Sequence, residues 1–145
     1  MKMSMIKKVE SPEELLKVSE VMQALRPQLN EKNITVIVGG MMQRGYHLLY
    51  AEDQGRAVAA IGYRFTEHLH WGKAVYIDDL STLPGFRKRG YARQLLDEVL
   101  RIARSAHCQE VHLDSGCGPN RYEAHRLYLG YGFNITSHHF AISLK

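Results

Sequence analysis

The chain is poor in the residues that announce several classes of protein. It has two cysteines in 145 residues, Cys108 and Cys117. Their separation makes neither a CxxC pair nor a zinc spacing, so a disulfide scaffold, a redox dithiol and a structural zinc site are excluded. Both read as free thiols, and no motif supplies either with a partnering base. The four prolines are scattered. There is no internal repeat, linker or low-complexity tract, which leaves one domain over residues 1–145. Long apolar runs are missing too: the longest, residues 57–63, falls far below the roughly 20 residues that span a bilayer, so no membrane association is expected. Residues 1–8 are positively charged but lack a following apolar region and cleavage site, so a cytoplasmic location is expected. Long runs of one charge are absent as well. Lys and Arg outnumber Asp and Glu by 19 to 15, a formal charge of +4, yet no helix-turn-helix, zinc or aromatic RNA-binding motif accompanies the excess. Nucleic acid is therefore not the expected partner, and a polyanionic small ligand explains the local basic cluster more economically.

That cluster lies inside the most informative stretch, residues 75–104. Val75 to Leu83 has the β-branched and aromatic enrichment of a strand, and Pro84-Gly85 ends it. Arg87, Lys88, Arg89, Gly90, Tyr91 and Ala92 then lead directly into a helix, whose Ala92, Leu95, Leu96, Val99, Leu100 and Ala103 recur at i, i+3, i+4, i+7. A helix start offers unpartnered N–H groups and the positive end of the dipole, so backbone alone can hold a pyrophosphate there. Gly90 has no side chain to obstruct it. Basic residues in a first turn oppose the dipole, and Arg87, Lys88, Arg89 and Arg93 make more sense facing an anion than facing water. A Walker A loop would need GK[ST] and a Rossmann turn three glycines with a distant acid; neither is present.

Along the rest of the chain, residues 6–9 read as a strand. Ser11, Pro12 and Glu14 then open a helix to about Leu25 with a capping box. Residues 30–44 carry both strand propensity in Ile34 to Val38 and a helical alternative, read here as a short helix. Residues 46–52 and 56–70 read as strands joined by Asp53-Gln54-Gly55, and Trp71-Gly72 turns into the central strand. After the helix at 91–106 come a strand at 110–114, a loop, a helix at 120–130, and two final strands at 133–135 and 138–144.

Arg87-x-x-Gly90-x-Ala92 resembles the acetyl-coenzyme A signature of the GCN5-related N-acetyltransferase (GNAT) family, and Ala124-His125-Arg126-Leu127-Tyr128 with Gly132-Phe133 resembles a second element of it. The order of elements fits that family over nearly the whole chain. The resemblance implies an α/β (α+β) GNAT fold: a mixed central sheet with an antiparallel N-terminal meander and splayed parallel strands, flanked by about four helices. It also implies acetyl-coenzyme A as cosubstrate and acetyl transfer to the primary amine of a small molecule. His68-x-His70, Arg121 to Tyr128 and Ser137-His138-x-Phe140 look more narrowly like the aminoalkylphosphonate N-acetyltransferase branch. A non-catalytic acyl-coenzyme A-binding regulator and a protein or peptide acetyltransferase are the alternatives. A homodimer is compatible with the sequence.

By the same resemblance, the backbone of Leu80, Ser81 and Thr82 pairs with the pantetheine arm, and the loop from Arg87 through Arg93 holds the phosphates. Tyr128 is the general acid for the leaving thiolate, with His125 next in line. Asp78 is the preferred base. Strand alternation puts Asp78 and Asp79 on opposite faces, so Asp78 is expected to face the acceptor and Asp79 to fix a loop. Arg121 stands where much of the family has a pantetheine-contacting Asn, and is a candidate for a cofactor phosphate or an anionic acceptor group. His68 and His70, with His138 or His139, are the candidates for a metal site or an anionic acceptor; no metal is assigned.

Overall fold

The computed structural model describes residues 5–145, which form two compact units divided between residues 112 and 113. The first is built on a sheet in the order β1 (Met5–Lys8), β2 (His47–Asp53), β3 (Arg56–His68), β4 (Gly72–Thr82) and β5 (Glu110–Leu113). β1 to β4 are antiparallel neighbours. Gln54 and Gly55 form the β2–β3 turn with φ of 51° and 78°, the pair of positive values that a two-residue hairpin needs to match strand twist. β5 joins β4 after a helical crossover, which makes the sheet mixed. The expected class is therefore the observed one, with five α-helices in place of about four.

The single helix expected to about Leu25 is two, α1 (Pro12–Lys17) and α2 (Ser19–Leu25), meeting at Val18. Ser19 Oγ donates to the Leu16 carbonyl at 2.7 Å, the kind of local bond that competes with the helical ladder. α3 (Ile34–Gln43) forms where strand propensity competed; buried Ile34 and Val38, four residues apart, show that packing decided the conformation. α4 (Tyr91–Ser105) buries Leu95, Leu96, Val99 and Ala103 as its periodicity requires.

In the second unit a 3₁₀ turn (Pro119–Arg121) precedes α5 (Tyr122–Tyr131), which stops at Gly132 with φ 126°. The two final strands are not formed: residues 133–145 contain no strand. Ile135, Phe140, Ile142 and Leu144 are exposed. Alternation specifies which face a strand would bury, but a strand exists only where a neighbour completes its ladder.

The capping box at α1 ties the first unit to its charge state. Ser11 Oγ accepts from Glu14 N–H at 3.2 Å. Glu14 Oε1 accepts from Glu10 N–H at 3.0 Å and Oε2 from Tyr50 Oη at 3.1 Å. The Glu10 N–H above all, helped by Tyr50, Ser11 and Lys7 against some desolvation, holds the Glu14 carboxyl below its ordinary 4.5. Lys17 and then Lys7 lower Glu52 in the same way. A carboxyl lowered in the folded state stabilises above its unfolded value, and that stability is lost as pH falls through the folded value. The urea midpoint should therefore be level near neutrality and decline below pH 4.5. Glu14→Gln should start lower at neutral pH and show a shallower decline; parallel curves for the two proteins would show that Glu14 carries none of the effect.

Candidate active site

The site begins with an irregularity in β4. Gly62 pairs with Asp79, but the next residue of β3, Tyr63, pairs with Ile77. Asp78 is thus the extra residue of a β-bulge, and a bulge re-aims side chains by breaking alternation. The expectation that the two aspartates occupy opposite faces is corrected by this. Both line one cavity of about 320 Å³. Met22, Leu29, Ile37, Val38 and Met41, from α2, α3 and the segment between them, supply its apolar wall, and Arg26, Gln28, Tyr46 and Tyr76 its remaining polar lining.

Each carboxylate has its own arginine. Arg64 donates to Asp78 through Nη2 at 2.7 Å and Nε at 3.1 Å. Arg26 Nε donates to Asp79 Oδ1 at 2.9 Å, and its Nη2 reaches the Asp78 carbonyl at 3.3 Å, pinning the bulge backbone. Tyr46 joins the two pairs. Its hydroxyl donates to Asp79 Oδ2 at 2.7 Å, and the Arg64 guanidinium lies over its ring, 5.6 Å from the centroid. Burial first, then the negative charge of Asp79, raises the Tyr46 phenol far above its ordinary value, so it remains a donor throughout the working pH range. The ring fits there because β3 has a glycine beneath it: a Cβ on Gly62 would lie 1.7 Å from Tyr46 Oη and 2.2 Å from Cζ.

Beyond the bulge, Leu80, Ser81 and Thr82 pair with Ile61, Ala60 and Ala59 of β3. β5 is anchored near the other end of β4, where Gln109 N–H donates to the Lys73 carbonyl at 2.8 Å. With only four residues, β5 stops short of these three positions. Ser81 is buried with its hydroxyl given to the Val21 carbonyl, so the side chain anchors α2. A 3₁₀ turn (Pro84–Phe86) then leads to the basic loop. Arg87 Nε donates to the Thr82 carbonyl at 3.2 Å. Lys88 and Gly90 both have positive φ, 62° and 87°, a conformation that is strained at Lys88 and natural at Gly90. Gly90 is the N-cap of α4, no side chain caps that helix, and its first turn contains no acid. Tyr91 Oη donates to Asp53 at 2.8 Å. Arg87, Lys88, Arg89 and Arg93 are exposed at this uncapped terminus. Such a loop suits a polyphosphate.

In the second unit Tyr128 is half-buried, its ring edge-on to Phe133 at 5.9 Å. Burial raises its phenol, with a smaller opposing effect from Arg121. Arg121 ends the 3₁₀ turn before α5. His125 Nε2–H donates to the Gly116 carbonyl at 2.7 Å, so this histidine is held by backbone. Of the other histidines, His68 and His70 flank Trp71, with His70 beyond the end of β3, and His139 lies 3.6 Å from Asp114. Among the described residues no group of three or more His, Cys, Asp and Glu is placed to hold a metal. Arg26, Tyr46, Gly62 and Arg64 were not singled out in the sequence. The signal for one of them was present: a glycine inside a run of strand formers marks a bulge or a close approach.

Residues 16–133 match the sequence model of the acetyltransferase (GNAT) family. An uncharacterised N-acetyltransferase of Bacillus subtilis, YhdJ, is 31% identical over 137 residues, 93% of this chain and 95% of that protein. Among solved structures, AAC(6')-Iy in complex with a bisubstrate analogue superposes with a TM-score of 0.84 at 18% identity, covering 99% of each chain. An acetyltransferase of Trypanosoma brucei gives 0.78 at 21% identity, over 97% of this chain and 99% of that one.

The fit of Tyr46 over Gly62 can be tested by stability. Tyr46→Phe removes a buried hydrogen bond to a charged group and should cost about 1.5–3 kcal/mol. Gly62→Ala should cost more, because ring or strand must move. The double variant should cost less than the sum, since the two changes disturb one contact. Additive losses in urea titrations, or a harmless Gly62→Ala, would contradict the geometry.

Proposed function

Because the chain belongs to the acetyltransferase (GNAT) family, we propose that it is a cytoplasmic enzyme transferring acetyl from acetyl-coenzyme A to the primary amine of a small molecule docked at Asp78. One observation carries this reading: a single strand supplies both halves of the site. β4 presents the bulged Asp78 to the cavity and runs on through Leu80, Ser81 and Thr82 to the uncapped, basic start of α4. An acceptor at the bulge and a cofactor along the end of the strand are then neighbours by construction. AAC(6')-Iy, of the same fold, has been solved with coenzyme A.

Bound acetyl-coenzyme A supplies an acyl thioester. The Leu80 to Thr82 backbone orients the pantetheine arm, and the N–H groups after Gly90, with Arg87, Lys88, Arg89 and Arg93 around them, hold its phosphates. Tyr91 and Ala92 open the helix that presents those groups, and Arg121 contributes a further cation toward phosphate. An amine is protonated near neutrality and must lose that proton before it attacks. Asp78 takes it. Among the described residues Arg64 alone pairs with this carboxylate, whose side chain is 22% exposed, whereas Asp79 is held between Arg26 and Tyr46 and is 12% exposed, so Asp78 is the more accessible carboxylate for an incoming amine. As nitrogen bonds to the carbonyl carbon and the C–S bond breaks, Tyr128 gives its proton to the thiolate. Its raised phenol keeps that proton in place at working pH.

Thiol release measured with acetyl-coenzyme A across a panel of primary amines tests the reading as a whole; binding of the cofactor with no transfer to any amine would overturn it. Asp78→Asn should lower turnover most near neutral pH and least at alkaline pH, where the amine deprotonates unaided. Asp79→Asn, which removes the charge and one of the two acceptor oxygens that Arg26 and Tyr46 use, should instead lower stability, and equal pH-independent rate losses from both would remove Asp78 as base. Tyr128→Phe keeps the contact with Phe133, so folding should be unchanged while turnover falls by about 10- to 1000-fold at unaltered cofactor affinity. Full turnover in that variant would leave Tyr128 a packing residue.

A further inference from the structure

The charge balance of the cavity says what kind of amine it takes. Among the described residues lining it, the one cation is Arg26. Its guanidinium is already committed twice, to Asp79 Oδ1 and to the carbonyl of the bulged Asp78. An acceptor carrying a phosphonate or carboxylate would find no free positive group there. Recruiting Arg26 would strand Asp79, whose side chain is only 12% exposed, and an unpaired buried carboxylate is costly. Asp78, by contrast, has unused acceptor capacity for one ammonium group.

Apart from Gln28 and the tyrosine hydroxyls, the rest of the wall is unsuited to a polar acceptor. Met22, Leu29, Ile37, Val38 and Met41 face the cavity with no hydrogen-bonding group except the weak thioether sulfurs. A sugar-like or polycationic amine would lose hydration against them without compensation. Thioethers adapt to irregular apolar shapes and make favourable contacts with aromatic rings, and Tyr76 adds an aromatic surface. The volume of about 320 Å³ suits a small ligand at the lower end of the usual range for such sites.

Building on the acetyl-transfer reading, we propose that the acceptor is a monocationic primary amine with an uncharged apolar body, of the arylalkylamine or alkylamine class. The ammonium docks on Asp78 and the body lies along the α2–α3 wall. Aminoalkylphosphonates, amino acids and aminoglycosides are disfavoured, the first two for lack of a free cation and the last because the α2–α3 wall is mostly apolar.

The test compares 2-phenylethylamine and hexylamine with 2-aminoethylphosphonate, β-alanine and kanamycin, by thiol release with acetyl-coenzyme A. The apolar amines should have a kcat/KM at least about tenfold higher than the others, the discrimination expected where an unsuitable group must be desolvated without a partner. Ile37 is 43% exposed and tolerates a polar replacement, so Ile37→Arg should lower kcat/KM for 2-phenylethylamine and raise it for 2-aminoethylphosphonate. Binding is read separately, as the rise in melting temperature of the wild-type protein with each amine alone. Equal or better use of the phosphonate, β-alanine or kanamycin would overturn the proposal and leave acetyl transfer standing. Stabilisation by 2-phenylethylamine with no thiol release from any amine would uphold the recognition and overturn the transfer. The absence of both stabilisation and transfer with the apolar amines would overturn this assignment outright.

Discussion

The aspartate pair of the site is held by a tyrosine whose hydroxyl end lies over a glycine. Tyr46 stands just before β2, and its side chain crosses β3 at Gly62, where there is no Cβ to meet it. From there the hydroxyl reaches Asp79 and the ring face meets the guanidinium of Arg64. One buried side chain therefore contacts both ion pairs of the bulge. Arg26 adds a third fixed point by bonding the Asp78 carbonyl. A bulge removes one residue from the ladder, and here three side chains hold what the ladder no longer does.

This arrangement also settles how two adjacent aspartates share a small cavity. Like charges on adjacent residues repel, and a carboxylate drawn out of water needs a partner. Here each has a guanidinium: Asp79 with Arg26, Asp78 with Arg64. The pairs differ in what they leave available. Asp79 is held from two sides, by Arg26 and Tyr46, and is 12% exposed; Asp78 is paired, among the described residues, with Arg64 alone and is 22% exposed. Neighbouring residues of one strand are thus held by different partners and left exposed to different degrees.

Much of this was legible in the sequence, for identifiable reasons. Strand, turn and helix around residues 75–104 read clearly because local signals agreed: β-branched residues, Pro84, Gly90 at a left-handed position, and a regular apolar stripe along α4. The helix at Ile34–Gln43 was harder, because β-branched residues argued against the burial pattern that won. What could not be read was the site's supporting shell. Arg26, Tyr46 and Arg64 lie 53, 33 and 14 residues from the aspartates they contact, and nothing in the chain announces such pairings. The alternation rule placed Asp78 and Asp79 on opposite faces because it assumes an unbroken ladder. Gly62 was the visible clue that the ladder breaks.

The C-terminal residues show the converse limit. Phe140, Ile142 and Leu144 alternate as a strand would, yet no strand forms there and all three are exposed. β3, by contrast, is a strand although residues 57–63 are all buried without alternation, and the difference lies in what is adjacent. In β3 each residue from Arg56 to Tyr63 except the bulged Val58 has a partner in β2 on one side, and from Ala59 onward β4 covers the other side as well, so backbone groups are satisfied before side chains are sorted between faces. Pattern chooses a face only after pairing has made a strand. The bulge obeys the same order of causes: pairing lapses at Asp78, alternation lapses with it, and a carboxylate that strict pairing would have turned away from its neighbour is left facing the same cavity.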